Sequence, residues 1–146
     1  MTLPTKRLVF LLTLCLLLCS CGPEEPFRKE TFPVTGEVSV DGQPAAILQV
    51  TCHDVKGMDT EHPTMSQAMT DPAGKFQIAT YEAADGVPEG EYVLTFMWGK
   101  LNPLGGTYGG PDKLNDRYTD PKTSEHRFTV TKGKPTDLGR IELSTK

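Results

Sequence analysis

The sequence predicts an all-β fold, a seven-stranded antiparallel sandwich, and three observations lead there. Seven short stretches between Phe32 and Ser144 alternate apolar and polar residues with a period of two. They are separated by turn-forming groups such as Asp41-Gly42, Asp71-Pro72-Ala73-Gly74 and Lys132-Gly133-Lys134-Pro135. No stretch supports a helix of more than one or two turns. Two antiparallel sheets packed face to face are the architecture that such a run of short strands fits.

The chain begins with something else. Lys6 and Arg7 precede an apolar run from Leu8 to Leu18, interrupted only by Thr13, which ends in Leu18-Cys19-Ser20-Cys21. At ~1.5 Å of helical rise per residue this run is too short for ~30 Å of hydrocarbon, so it reads as a secretory signal. Its end resembles a bacterial lipobox, with Leu18 three positions before the cut, small Ser20 just before it and Cys21 just after. Cutting before Cys19 would place bulky Leu18 in the small-residue position. The resemblance implies diacylglycerol on Cys21 and an acylated new N-terminus. One myristoyl-length chain contributes only roughly 5 kcal/mol of membrane binding, whereas two or three make the anchor effectively permanent. Residues 1–20 are thus the expected signal peptide and 21–30 an acylated cysteine with a flexible tether. In the tether, Pro23, Pro26 and five charges oppose regular structure.

The strands follow in order. Phe32, Val34, Val38 and Val40 share one face, and Asp41-Gly42, which tolerates positive φ, predicts a hairpin. Ala45 to Asp54 is the expected return strand, with Leu48, Val50 and Cys52 inward and Gln49, Thr51 and His53 outward. Val55 to Thr64 is a polar loop, Ser66 to Thr70 a short strand, and Lys75 to Tyr81 a strand burying Phe76 and Ile78. A second loop spans Glu82 to Glu89. Glu91 to Trp98 is apolar on both faces, which predicts a central strand whose outer side is partly covered. Gly99 to Pro111, with five glycines and two prolines, is a long loop and the candidate cover. Asp112 to Tyr118 is expected to make a helical turn or two, with Leu114 and Tyr118 on one side. Glu125 to Thr131 and Asp137 to Ser144 complete the strands, and Gly139-Arg140 breaks the last alternation as a bulge would.

The composition narrows the partners. The 146 residues carry 15 Lys and Arg against 19 Asp and Glu; Lys6 and Arg7 leave with the signal, so 13 face 19 in the remaining 126 residues, a formal charge of −6. No basic block remains to neutralise phosphates, which argues against nucleic acid. Cys15 and Cys19 leave with the signal and Cys21 carries lipid, so Cys52 is left without a disulfide partner. It reads as a small buried hydrophobe.

Further residues carry a resemblance. Pro33-Val34-Thr35-Gly36-Glu37-Val38, Asp41-Gly42-Gln43-Pro44, Thr70-Asp71-Pro72-Ala73-Gly74-Lys75-Phe76, Gly90-Glu91-Tyr92 and Arg117-Tyr118-Thr119-Asp120-Pro121-Lys122-Thr123-Ser124 look like the carboxypeptidase regulatory-like, or transthyretin-like, domain of small lipoproteins in planctomycete-type bacteria. The likeness runs from about Thr31 to the C-terminus, so 31–146 is the expected domain. It implies a Greek-key, prealbumin-like sandwich with no catalysis of its own.

The chemistry-bearing residues agree with that implication. No His is followed by Glu at the third position, so the zinc motif of metal-dependent carboxypeptidases is absent. His53, Asp54 and His62 lack a fourth ligand, and no metal or other cofactor is expected. No Gly-x-Ser-x-Gly elbow occurs, and residues 105–110 lack the Gly-Lys-Ser/Thr of a phosphate loop. The related hydrolases of similar fold end in Tyr-Arg-Gly-Ser, whereas this chain ends Glu142-Leu143-Ser144-Thr145-Lys146. What remains is surface: Trp98, Leu101, Leu104 and Tyr108 are the candidate partner or ligand contacts, although the favoured reading is that they shelter the sheet, since an apolar second face is usually just covered. The expected protein is a lipid-anchored, non-catalytic envelope module outside the cytosol with a protein partner. Where a cell has two membranes, Gly22, in place of a retaining aspartate, points to the outer one. A ligand- or glycan-binding sandwich using residues 98–111 and a small His-dependent hydrolase are the alternatives.

Overall fold

The computed structural model describes residues 26–146. The signal expected at 1–20, the lipidation expected at Cys21 and the first part of the expected tether lie outside the described residues. A strand forms within each of the seven expected stretches, and three short ones join them: β1 (Val34–Val40), β2 (Gln43–Pro44), β3 (Gln49–Asp54), β4 (Ser66–Met69), β5 (Lys75–Gln77), β6 (Gly90–Met97), β7 (Lys100–Asn102), β8 (Thr107–Gly109), β9 (Arg127–Val130) and β10 (Thr136–Leu143).

In one four-stranded sheet, β10 lies along one edge of β1, while β5 and β2 share its other edge. The second sheet runs β4-β3-β6-β9, and every neighbouring pair in it is antiparallel. The inner faces share one core: Val34, Val38, Phe76 and Leu143 of the first sheet belong to the same buried cluster as Val50, Leu94, Phe96 and Val130 of the second. Sandwich character therefore follows from the period-two pattern, since each sheet hides one face against the other. At one side Gln67 and Ala79 exchange two backbone hydrogen bonds of 3.0 and 2.9 Å and stitch the sheets together. At the opposite side, no strand among the described residues pairs with the outer edges of β9 and β10.

Four expectations are corrected. The sandwich is not wholly antiparallel, because β1 and β10 run parallel, with Val34 opposite Thr136 and Val40 opposite Leu143. Periodicity assigns faces but says nothing about the direction of a partner 100 residues away. The Asp41-Gly42 turn does form, with φ of 50° and 78°, yet only Gln43 and Pro44 return along β1. The chain then crosses to the other sheet between Ala45 and Leu48, so the expected return strand is divided between the sheets. Residues 113–118 form turns rather than a helix, since Asn115 and Asp116 adopt φ of 55° and 57°, outside the right-handed helical region. Leu114 is nevertheless buried and Tyr118 packs on the core, as the spacing suggested. Finally, the expected loop 99–111 contains the β7–β8 hairpin.

The bulge expected at Gly139-Arg140 is present as a register shift between β1 and β10, with Gly139 at φ 64°. Leu48, Val50 and Cys52 are buried as the alternation required, and so are Phe32, Ile78 and Ile141. Among the described residues no buried side-chain polar atom lacks a hydrogen-bond partner. Ser66 and Thr80 bond each other at 2.8 Å, and the Ser39 hydroxyl donates to the Glu142 carboxylate.

Candidate functional site

Trp98 and Tyr108 face the point where the chain changes sheets. Ile47, in the middle of that crossover, has φ 56°, a costly conformation for a β-branched residue. Three side chains hold the crossover in place. Thr70 accepts the Leu48 N–H at 2.8 Å and donates to the Ala45 carbonyl at 2.5 Å. The Trp98 indole N–H donates to the Ala46 carbonyl at 3.0 Å. The Tyr108 hydroxyl lies 2.9 Å from the carbonyls of both Ile47 and Met97 and accepts the Gly99 N–H at 2.7 Å. Burial raises the pKa of Tyr108, which keeps it a hydrogen-bond donor at neutral pH.

Trp98 is also fixed from behind. Its backbone N–H donates to the Asp112 carboxylate at 2.8 Å, and the Lys113 ammonium stands 4.3 Å above the indole ring. The two aromatic residues are thereby committed to the fold. Leu101 and Leu104 are not, because Leu101 is 51% exposed opposite Tyr108 in the hairpin and Leu104, at its tip, is 99% exposed. The four candidate contacts thus divide into a structural pair and an exposed pair. A shallow hollow of about 400 Å³ lies along the hairpin, lined by Lys100, Leu101, Thr107 and Tyr108. A larger groove of about 840 Å³ runs across β4 and β5 between Gln49, Met69, Gln77 and Ala83.

On the outer face of β6, His53 reaches across from β3 to Thr95, Nε2 to Oγ1 at 2.8 Å, two residues before the Met97 carbonyl that takes the Tyr108 hydroxyl bond. His126 lies edge-on to Phe96 with 5.1 Å between ring centroids. Phe96 and Thr95 alternate along one strand, so His53 and His126 belong to opposite faces of the sheet. Burial lowers the pKa of both histidines. His62 is elsewhere, its ring 3.9 Å from that of Phe27, centroid to centroid, and tilted to it by 32°. The structure therefore does not bring the three histidines together, and among the described residues no group of three or more His, Cys, Asp and Glu is placed to hold a metal. The Cys52 thiol is pushed up to about 12 by burial, with the Asp54 charge adding to the effect.

One cluster was missed in the sequence. Residues Phe27 to Glu30, expected as free tether, lie against the domain without regular structure. Arg28 pairs with Glu82 at 2.6 Å, Lys29 with Asp59 at 2.6 Å and Glu30 with Lys132 at 3.0 Å. The Lys29 ammonium and the backbone N–H groups of His62 and Glu61 hold Asp59 down at about 2. The available signal was Phe27, the one aromatic residue in an otherwise charged and proline-rich tether.

No family model and no curated protein matches the chain. Solved structures similar to it include a 9R-lipoxygenase from Cyanothece PCC8801, 14% identical with a TM-score of 0.38, where the match covers 92% of this chain and 20% of that one. A DUF3823 family protein from Parabacteroides merdae ATCC 43184 is 15% identical over 80% of this chain and 46% of its own, with a TM-score of 0.37. An (S)-allantoin synthase is 16% identical over 82% and 43%, with a TM-score of 0.40. This chain spans less than half the length of each. Likenesses at that level carry no functional argument.

Proposed function

We propose that the protein is a lipid-anchored, non-catalytic module of the bacterial cell envelope that serves a structural or protein-binding role. The observation that carries this reading is the succession of Lys6-Arg7, the apolar run and Leu18-Cys19-Ser20-Cys21 ahead of a single sandwich domain. Three further features support it. The aromatic side chains of the candidate surface are spent on holding the crossover, the histidines lie apart, and the Cys52 thiol is buried and hard to ionise. The outer edges of β9 and β10 offer a partner chain a place to add a strand. The finer fold is a Greek-key, prealbumin-like arrangement of the seven principal strands, and the location is extracytoplasmic, at the outer membrane where there are two.

Replacing the lipidated residue tests the anchor. Cys21→Ser is expected to move the protein from the membrane pellet to the soluble fraction. Sedimentation of the variant with vesicles, unprocessed and at full precursor mass, overturns the reading. A second reading, a ligand or glycan contact at the β7–β8 hairpin, is favoured by the exposure of Leu101 and Leu104 beside the hollow. A glycan array with the native protein and with Leu101→Ser separates the two, since only a contact through the hairpin gives a signal that the substitution removes.

A further inference from the structure

The sandwich has two distinct ends. At one lie the start of β6 at Gly90, the end of β3 at Asp54 and the end of β9 at Val130; at the other lie Met97, Gln49 and the β7–β8 hairpin. The eight residues of β6 separate them by ~24 Å at ~3.4 Å per residue. The first end is also where the chain leaves toward its N-terminus, because Phe27 lies against His62 and Lys29 pairs with Asp59.

The geometry points to this end, the loop 55–65 together with Phe27, as the surface that the domain lays on a lipid bilayer. The inference rests on the lipidation of Cys21 and adds the orientation of the domain. Between Cys21 and Pro26 the chain can span at most ~18 Å at ~3.6 Å per residue, less than the length of the sandwich. An anchor there keeps the first end close to the lipid and leaves the hairpin end remote. Three ion pairs at the surface, those of Arg28, Lys29 and Glu30, hold the last residues of the tether against this end of the domain.

The exposed side chains at this end suit an interface with lipid. Met58 is 69% exposed, Met65 62% and Phe27 55%, and Val55 is exposed beside them in sequence. Among the described residues, four of the eight exposed large hydrophobic side chains therefore belong to Phe27 and one loop, a concentration that suits an interaction surface. Methionine and phenylalanine bury readily among headgroups and upper acyl chains without needing a shaped pocket. The carboxylates of Asp59, Glu82 and Glu30 each face a cation, which lessens the repulsion that an anionic membrane would otherwise exert.

Orientation can be read directly on the full lipidated protein reconstituted in phosphatidylethanolamine–phosphatidylglycerol vesicles. Met58→Cys, Met65→Cys and Leu104→Cys each introduce one exposed thiol for an environment-sensitive fluorophore, while Cys52 stays buried and unlabelled. The expected result is a blue shift at 58 and 65, with loss of emission when doxyl-labelled lipids are included, and neither effect at 104. Vesicle-bound protein whose labels at 58 and 65 are unquenched, or whose label at 104 is quenched as strongly, overturns the orientation while leaving the anchor standing. Protein that does not remain with the vesicles overturns both.

Discussion

Cys52 shows how burial decides the character of a residue. In sequence it is a lone thiol on a strand, and its inward register assigned it to the core. The structure adds that burial lifts it to about 12, so at neutral pH almost no thiolate exists to act as a nucleophile. Native protein is therefore expected to resist alkylation by iodoacetamide over hours and to take up one equivalent at Cys52 once unfolded in urea, as followed by intact mass. Rapid labelling of the folded state would show that the strand opens locally. The histidines show the same force acting on a base. Burial, the cause in each case, holds His53 and His126 below the ordinary value of 6.5. The unfolded chain takes up these protons at higher pH than the folded one, so the stability they contribute is complete above about 6.5 and is lost as the pH falls through the folded values. The urea midpoint should decline between pH 7 and pH 5, and His53→Gln, which can still reach Thr95, should make the decline shallower. Asp59 contributes nothing in that window, because its own loss begins only below 3.8 and is completed near 2.

At the scale of elements the crossover Ala45–Leu48 explains what the aromatic residues are for. A strand that leaves one sheet and enters another must break its ladder, and the freed backbone groups need partners. Thr70, Trp98 and Tyr108 supply them, and these bonds hold Ile47 in a left-handed conformation that it would otherwise avoid. Trp98→Phe removes one of these donors and leaves the Ala46 carbonyl unpaired, an expected cost of about 1–2 kcal/mol. Leu104→Ser, at the exposed hairpin tip, should change stability by less than about 0.5 kcal/mol. Urea unfolding of both variants checks the contrast, and equal effects would mean that the hairpin tip contributes as much to stability as the Trp98 bond. The sequence offered Trp98 and Tyr108 as surface contacts because an aromatic residue beside a glycine-rich stretch looks exposed. Their bonding partners lie 52 and 61 positions earlier in the chain, and no local pattern reports them.

For the whole molecule, the polarity of the sandwich connects the fold to its proposed role. The strands of both sheets run between an end that receives the tether and an end that carries the hairpin, so the proposed anchor at Cys21 would orient everything else. The sequence by itself determined the strands, their buried faces, the Asp41-Gly42 turn and the bulge at Gly139, because each depends on side-chain alternation or on the φ tolerance of one or two residues. Only the tertiary structure decided that β1 and β10 run parallel, that the chain changes sheets at Ala45–Leu48, and that Phe27 to Glu30 fold back onto the domain. Those features arise from hydrogen bonds and ion pairs between distant positions, whose energies depend on which groups the completed core brings within reach.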